Sequence, residues 1–197
     1  MSAYRLPVAP RVGNNGRYGL VRKDSTHGAC PSGYPCTHWG TDLAAVPGTR
    51  VVSPVTGRVV YSVGDLVPFR GFGPHVVVIE DSDAGERYRY HLIGHLDYKQ
   101  SRGFFGDNHA GGWPTRIATP VKAGQVVGVI GGYRHIHWQV QSRPYQQGAT
   151  WSEITQDPLA WATRKGAVWM PPQIVPEDYV GAAVAFAAAL LATKGLG

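Results

Sequence analysis

The most regular feature of the chain is an alternation of apolar and polar residues from position 135 to position 140. The apolar members are Ile136, Trp138 and Val140, and the polar members are His135, His137 and Gln139. Because side chains alternate between the two faces of a β-strand, this pattern predicts a strand with both imidazoles on one face and an apolar face towards a core. Two such imidazoles can hold a metal ion, or one can hold it while the other transfers protons. The alternative is a strand face that carries two polar residues without a chemical role.

Shorter apolar segments elsewhere in the chain predict further strands, separated by turns that contain glycine and proline. Two short strands flank the turns at Pro47-Gly48 and Thr56-Gly57, and a third lies within residues 71–80. Residues 86–96 alternate again, and a turn within residues 121–128 leads towards the strand described above. These segments predict a mainly β fold built on an antiparallel sheet.

Two histidines lie in the alternating segment 86–96. His91 and His95 are four positions apart, so we expect both to lie on one face of this strand. The following residues, 97–120, are rich in glycine and aromatic residues, and we expect them to form an irregular insertion. Loops of such length are usually functional or mobile.

Composition agrees with a β-rich globular fold. The chain has 197 residues, among them 26 glycines and 15 prolines, and only 16% of the residues are charged. This length suits one domain with a sizeable core. We divide the chain into an N-terminal arm and loop (1–35), a β domain (36–165), and a linker followed by an apolar C-terminal helix (166–197).

Charge and cysteine content narrow the possible partners and compartments. The formal net charge of +6 would favour approach to an anionic polymer such as nucleic acid or a bacterial cell wall, and it also serves solubility. No run of lysine and arginine is interleaved with aromatic residues, so no nucleic-acid partner is predicted. Cys30 and Cys36 close a short loop that contains proline and glycine. A disulfide is expected if the protein works in an oxidising space, and two free thiols or a metal clip are the alternatives.

The two ends of the chain give separate expectations. The N-terminus lacks the apolar core of a Sec signal peptide. Residues Glu177 to Thr193 predict a helix, and its apolar run, Val180 to Ala192, is too short to span a bilayer. A helix that is apolar on all sides has to be buried, so we expect it to dock on another protein chain. Met170-Pro171-Pro172 would serve as its linker.

Several motifs occur in an informative order. They are His38-x-Gly-x-Asp42, then Gly48-x-x-Val51-x-Ser53-Pro54-x-x-Gly57-x-Val59, then Gly94-His95-Leu96, then Val121-x-x-Gly124-Gln125-x-x-Gly128, and last His135-x-His137. This ordered set resembles the M23 family of zinc metallopeptidases, the lysostaphin- and LytM-like endopeptidases of bacterial peptidoglycan. The resemblance covers residues 36–160 or so, and it implies the LytM/M23-like fold, a mainly antiparallel β-sheet with a groove, for the β domain.

The resemblance also implies a metal site. By the match, one Zn²⁺ ion would be bound by His38, Asp42 and His137, with a fourth position open to water or to the substrate carbonyl. Such a site would make a bound water acidic and would polarise the carbonyl.

The two remaining histidines of the family motifs would act on protons. By the match, His95 and His135 are the catalytic histidines, which take up a proton and steady the tetrahedral intermediate. Gly94-His95-Leu96 matches the family in its neighbours, although Ile93 stands where the family prefers tyrosine. His91 therefore stays open as the alternative to His95.

The activity that the resemblance implies is zinc-dependent cleavage of peptide bonds in peptidoglycan cross-links. The alternative is a non-catalytic wall-binding module, or a structural tail or assembly protein, on the same scaffold. All five site positions are filled, which favours the enzyme. Since no Sec signal is present, we expect a bacteriophage protein, either an endolysin released to the wall on lysis or a virion-associated wall hydrolase. The C-terminal helix would then dock on a phage tail or on a second copy of the chain. Loop lengths depart from the family pattern, so the bond that is cut is left open.

Overall fold

A computed structural model of the chain describes residues 4–9, 16–22, 36–63, 72–81, 86–101, 116–143 and 150–169. The strands are β1 (Val21–Arg22), β2 (Cys36–Thr37), β3 (Thr41–Ala44), β4 (Arg50–Val52), β5 (Gly57–Val63), β6 (His75–Glu80), β7 (Tyr90–Gly94), β8 (Arg116–Val121), β9 (Val126–Val129), β10 (His135–Gln141) and β11 (Thr155–Gln156). The helices are α1 (Tyr98–Ser101), α2 (Trp151–Ile154) and α3 (Pro158–Lys165).

The main sheet has seven strands, and the named strands pair with one another in antiparallel fashion. Its order is β11-β10-β7-β6-β5-β8. Strand β3 pairs with the first half of β10. The short strand β11 pairs with the end of β10. Two-stranded ladders join β1 to β2 and β4 to β9. The mainly antiparallel β architecture predicted from the sequence is therefore confirmed.

Strand β10 has the predicted alternation and lies inside the sheet. Ile136, Trp138 and Val140 are fully buried in the main core cluster. Trp161 of α3 closes this side of the sheet, with its ring centroid 5.8 Å from that of Trp138 in an edge-to-face arrangement. Helix α3 begins where Asp157 accepts a hydrogen bond from the backbone of Leu159 (2.9 Å), a side-chain cap that satisfies one free N–H of the first turn.

The segment 97–120, where the structure describes it (97–101 and 116–120), is more regular than the insertion that we expected. It contains the short helix α1, and it ends in β8, the outer strand of the sheet beside β5. Pro120 within this strand removes a backbone donor and obscures the strand pattern in the sequence. Proline is tolerated there because an edge strand needs hydrogen-bond partners on one side only.

Residues near both ends of the described chain meet on the core. Leu6 and Val8 are buried in the core cluster. The backbone N–H of Leu6 donates to the carbonyl of Val168 (3.1 Å), and that of Arg5 donates to the carbonyl of Pro54 (2.9 Å). These contacts join the N-terminal segment to Val168, which follows α3, and to Pro54, which lies between β4 and β5.

Three sequence predictions fall outside the described residues. They concern Cys30, the linker 170–172 and the helix 177–193. The disulfide and the docking of the apolar helix therefore remain predictions. Among the helices that the structure describes, none has the length and apolar character needed to cross a membrane.

Candidate metal centre

The sheet register brings together three residues that are far apart in the sequence. Strands β3 and β10 pair so that Asp42 lies directly opposite His137. His38 immediately follows β2, and its side chain extends towards Asp42 and His137. The three side chains form a buried group, and their ligand atoms all lie within 4.8 Å of one another. These are the residues that the motif resemblance assigned to zinc.

The distances within this group suit a tetrahedral metal ion. His38 Nε2 lies 3.0 Å from His137 Nδ1 and 3.2 Å from Asp42 Oδ1, and the last two atoms are 3.1 Å apart. Zinc bonds to nitrogen and oxygen of 2.0–2.2 Å would place tetrahedral ligands about 3.3 Å apart. A modest expansion of the triangle would therefore accommodate the ion.

Hydrogen bonds on the far side of each imidazole determine which nitrogen faces the group. His38 Nδ1 lies 3.1 Å from the carbonyl of Arg17, which only accepts, so this nitrogen carries the proton and Nε2 presents its lone pair. His137 Nε2 lies 3.2 Å from Gln139 Oε1, which leaves Nδ1 as the free base. With both rings neutral, two lone pairs and a carboxylate oxygen face one another. Such an arrangement is stable only with a shared proton or a cation between the atoms.

Glycine at position 40 is required by the crowding around His137. A Cβ atom at Gly40 would overlap the Nε2 and Cε1 atoms of the His137 ring and would lie 2.8 Å from the carbonyl oxygen of Trp138. The glycine of the His38-x-Gly-x-Asp42 motif therefore makes room for a ligand side chain.

His135 lies beside the group and is more exposed. Its Nε2 is 3.8 Å from Asp42 Oδ2, and its side chain is 27% exposed. Its Nδ1 donates to the carbonyl of Tyr133 (2.8 Å), so Nε2 is the nitrogen that can accept a proton. The ring therefore borders the group at its open side without being part of it.

The structure separates His95 from His91. His91 pairs with Val140 across the sheet and lies on the core face, with its ring 4.6 Å from the ring of Trp161. His95 lies one residue beyond the end of β7, where its φ of 65° leaves the strand geometry. Its ring is consequently turned towards the site, 4.7 Å from the ring of His135 and 6.2 Å from that of His137. The expectation that His91 and His95 share one face is wrong, because the strand ends at Gly94.

A proton shared with the imidazoles and the burial of the group shift the pKa values of Asp42 and His137. Burial raises the pKa of Asp42, but hydrogen bonds and charge from His137 and His38 outweigh it and hold that pKa far below its usual range. Burial lowers the pKa of His137. Burial, together with the neighbouring imidazoles, lowers the pKa of His95 to about 3. Neutral imidazole and carboxylate are the protonation states that bind a divalent metal.

Comparison with known proteins supports the fold and gives no family match. No family model matches the chain, and no curated protein matches it. A crystal structure of cbpa from L. salivarius REN aligns at 15% identity over 83% of this chain and 96% of its own, with a TM-score of 0.54. Lysostaphin, an antimicrobial peptidase from Staphylococcus simulans, aligns at 20% identity over 84% of this chain and 55% of its own, with a TM-score of 0.49. Its catalytic domain aligns at 22% identity over 76% of this chain and 94% of its own, with a TM-score of 0.48.

The chain shares its fold with the cbpa structure. At these identities the likeness extends to the fold alone. The chain spans only about half of the lysostaphin chain (55%), so activity and substrate have to be argued from the site itself.

The candidate site contains contributors that the sequence prediction missed. Gln139 shares the polar face of β10 with the two histidines, so the period-two pattern was a signal for it. The carbonyls of Arg17 and Tyr133 orient His38 and His135. Backbone atoms leave no mark in the sequence, so these two contacts could not have been anticipated.

Proposed function

We propose that this chain is a zinc-dependent endopeptidase that cleaves peptide bonds in the cross-links of bacterial peptidoglycan. The observation that carries the proposal is the buried group of His38, Asp42 and His137, whose ligand atoms lie 3.0–3.2 Å apart. Two nitrogens and one oxygen on three residues are a donor set typical of catalytic zinc, which keeps one position open.

The residues of the group fit a zinc ion in chemistry and in charge. Each imidazole presents a lone pair, and the carboxylate supplies one negative charge to a divalent cation. Bound there, zinc would acidify a water molecule and polarise the scissile carbonyl. The far-side contacts of His38 and His137 would hold the ligands in orientation, as partners of metal-bound histidines commonly do.

Two further imidazoles complete the site, one for proton transfer and one for stabilising negative charge. His135 has a free Nε2 beside Asp42 and is partly open to solvent, so it is placed to accept a proton from the attacking water. His95 lies against His135 on the other side, where it can stabilise the negative oxygen of the tetrahedral intermediate. Proton transfer by a positioned side chain typically contributes ~10²–10⁴-fold to a rate.

The substrate class follows from the motif resemblance and agrees with the charge of the chain. A net charge of +6 favours approach to an anionic cell wall. The association with a phage and the place of the protein in a lysate or a virion remain predictions from the sequence.

A chelator-controlled digest tests the proposal directly. Purified peptidoglycan is incubated with the zinc-loaded protein, and the released fragments are resolved by mass. We expect new amino and carboxyl ends within the cross-links, their loss with chelator, and recovery with added zinc. Intact cross-links after treatment with fully zinc-loaded protein would refute the activity and would favour a wall-binding or structural role.

Substitutions separate metal binding from proton transfer. His137→Ala should lose zinc and activity together, because it removes a ligand. His135→Ala should keep one zinc per chain and lose hydrolysis by ~10²–10⁴-fold. The control is Val46→Ala, at a side chain that is 72% exposed. Full zinc content in His137→Ala would contradict the assigned ligand set.

A further inference from the structure

Tyr133 is an exposed aromatic residue that nevertheless lies against the site. It is 62% exposed, in the turn that precedes β10. Its ring centroid is 4.4 Å from that of His95, with an angle of 30° between the ring planes. The two rings are tilted and in close contact, and aromatic pairs at such distances attract each other beyond the burial of area. One face of the Tyr133 ring is thus occupied by an imidazole of the proposed active site.

His95 differs from the other site histidines in what holds its ring. A functional imidazole is usually oriented by a hydrogen bond on its second nitrogen. His38, His135 and His137 each have such a bond. The Nδ1 atom of His95 is buried and has no hydrogen-bond partner among the described residues.

The backbone of His95 adds to the need for a support. Its φ of 65° lies in the left-handed region, which costs free energy for a residue with a Cβ atom and is maintained only by the surroundings. The N–H of His95 donates to the carbonyl of Phe72 (2.7 Å), which fixes the main chain. Among the described residues, the side chain is held by ring contacts, with Tyr133 at 4.4 Å and the edge of His135 at 4.7 Å.

We propose that Tyr133 is a positioning residue, whose ring holds the imidazole of His95 in place. The same residue orients His135 through its backbone carbonyl (2.8 Å). One turn residue would therefore align both imidazoles, that of His95 by the packing of its ring and that of His135 by a hydrogen bond. This inference rests on the proposed function, since the reaction needs both rings aligned.

Two other roles would explain an exposed tyrosine at this position, and each has its own signature. A residue that only lines the substrate groove would alter KM, and its removal would leave the rate of the bound substrate unchanged. A residue whose hydroxyl donates to the substrate would not be replaceable by phenylalanine. A positioning role predicts that the ring matters, that the hydroxyl does not, and that kcat responds more than KM.

The experiment compares Tyr133→Ala and Tyr133→Phe with the parent protein, all zinc-loaded, on a soluble cross-linked muropeptide. Tyr133→Ala should lower kcat between about tenfold and a hundredfold, as misplacement of a catalytic group does, with KM, zinc content and Tm little changed. Tyr133→Phe should retain activity. Val46→Ala again serves as the surface control.

A spectroscopic readout tests the contact independently of activity. The ring protons of His95, assigned in the NMR spectrum with a His95→Gln variant, should be shifted upfield by the tyrosine ring. Tyr133→Ala should abolish that shift and Tyr133→Phe should keep it.

The possible outcomes distinguish the positioning role from the alternatives and from a failure of the proposed function. The positioning role would be overturned by any of three results. These are a rise in KM alone, a Tyr133→Phe variant as impaired as Tyr133→Ala, or a His95 chemical shift that is unchanged in Tyr133→Ala. A parent protein that binds zinc and cleaves no muropeptide would refute the proposed function instead, and the His95 shift would still decide whether Tyr133 holds the ring.

Discussion

Acidification is expected to destabilise the protein through His91, which lies in the core and outside the proposed site. Its ring is fully buried, 6.3 Å from the ring of Trp138 and 4.6 Å from that of Trp161. Within the described part of the chain, neither ring nitrogen has a hydrogen-bond partner. A charged imidazole there would be separated from water without a compensating contact. Burial accordingly lowers the pKa of His91 to about 3.

The sign and size of the effect follow from proton linkage. An unperturbed histidine has a pKa of about 6.5, so between the two values the unfolded chain binds a proton that the folded chain does not. The contribution of His91 to stability is therefore complete above about pH 6.5 and is lost as the pH falls towards 3. The slope for one proton is about 1.4 kcal/mol per pH unit. Two units of acidification would cost roughly 2–3 kcal/mol, a large part of the ~5–15 kcal/mol typical of a domain.

The assay compares denaturant unfolding of the parent with His91→Leu, near neutral pH and two units below the unperturbed pKa. Leucine is similar in volume and does not titrate, so the variant should gain stability over the parent as the pH falls, by roughly 2–3 kcal/mol. Ile93→Val, on the same core face of β7, is the control. It should be less stable than the parent by about 0.5–1.5 kcal/mol at every pH.

Other titrating groups affect the parent and the variants equally, so the difference isolates His91. Burial also lowers the pKa of His75, to about 4, and that of His95, and protons compete with zinc at the metal site. All of these remain in His91→Leu. A difference between parent and variant that stays constant with pH would refute the reasoning, because it would mean that His91 takes up its proton equally in the folded and the unfolded chain.

Three further predictions concern the metal site and the C-terminus. Gly40→Ala should reduce zinc content well below one per chain by atomic emission, because its Cβ would overlap the His137 ring, whereas Gly132→Ala, with nothing within 4 Å, should bind zinc normally. Gln139→Leu should weaken zinc affinity ~10–100-fold in a competition titration, as loss of an outer partner does, and Gln139→Glu should restore it; equal affinities would show that the contact is idle. Truncation after Trp169 should retain hydrolysis and abolish any association seen by light scattering, and an unfolded truncated chain would contradict the docking hypothesis.

The alternation in β10 was sufficient to predict where the two histidines of this strand point. Because the period of a strand is fixed, His135 and His137 had to share a face once the segment was a strand. The sequence could not reveal that β3 would align Asp42 with His137, since register depends on how whole strands pair. The ordered motifs, and not the periodicity, predicted that Asp42 and His137 lie together.

Periodicity failed where the chain leaves regular geometry. His91 and His95 follow the same alternating pattern, yet one lies in the core and the other at the site. The difference arises at a single residue, since β7 ends at Gly94 and His95 adopts a φ of 65°. A conformation that costs free energy for a non-glycine residue has no local sequence signal. It is maintained by tertiary contacts, which only the structure shows.

The site histidines are oriented by two kinds of partner, backbone carbonyls and a side chain, which differ in their sensitivity to mutation. His38 and His135 donate to backbone carbonyls, and no side-chain substitution removes a carbonyl. His137 instead depends on the side chain of Gln139. The tautomers of the first two rings are therefore insensitive to changes in the side chains around them, whereas that of the third ligand can be altered by one substitution. Gln139 is thus a position outside the proposed ligands where a single side chain should tune metal affinity while leaving His135 in place.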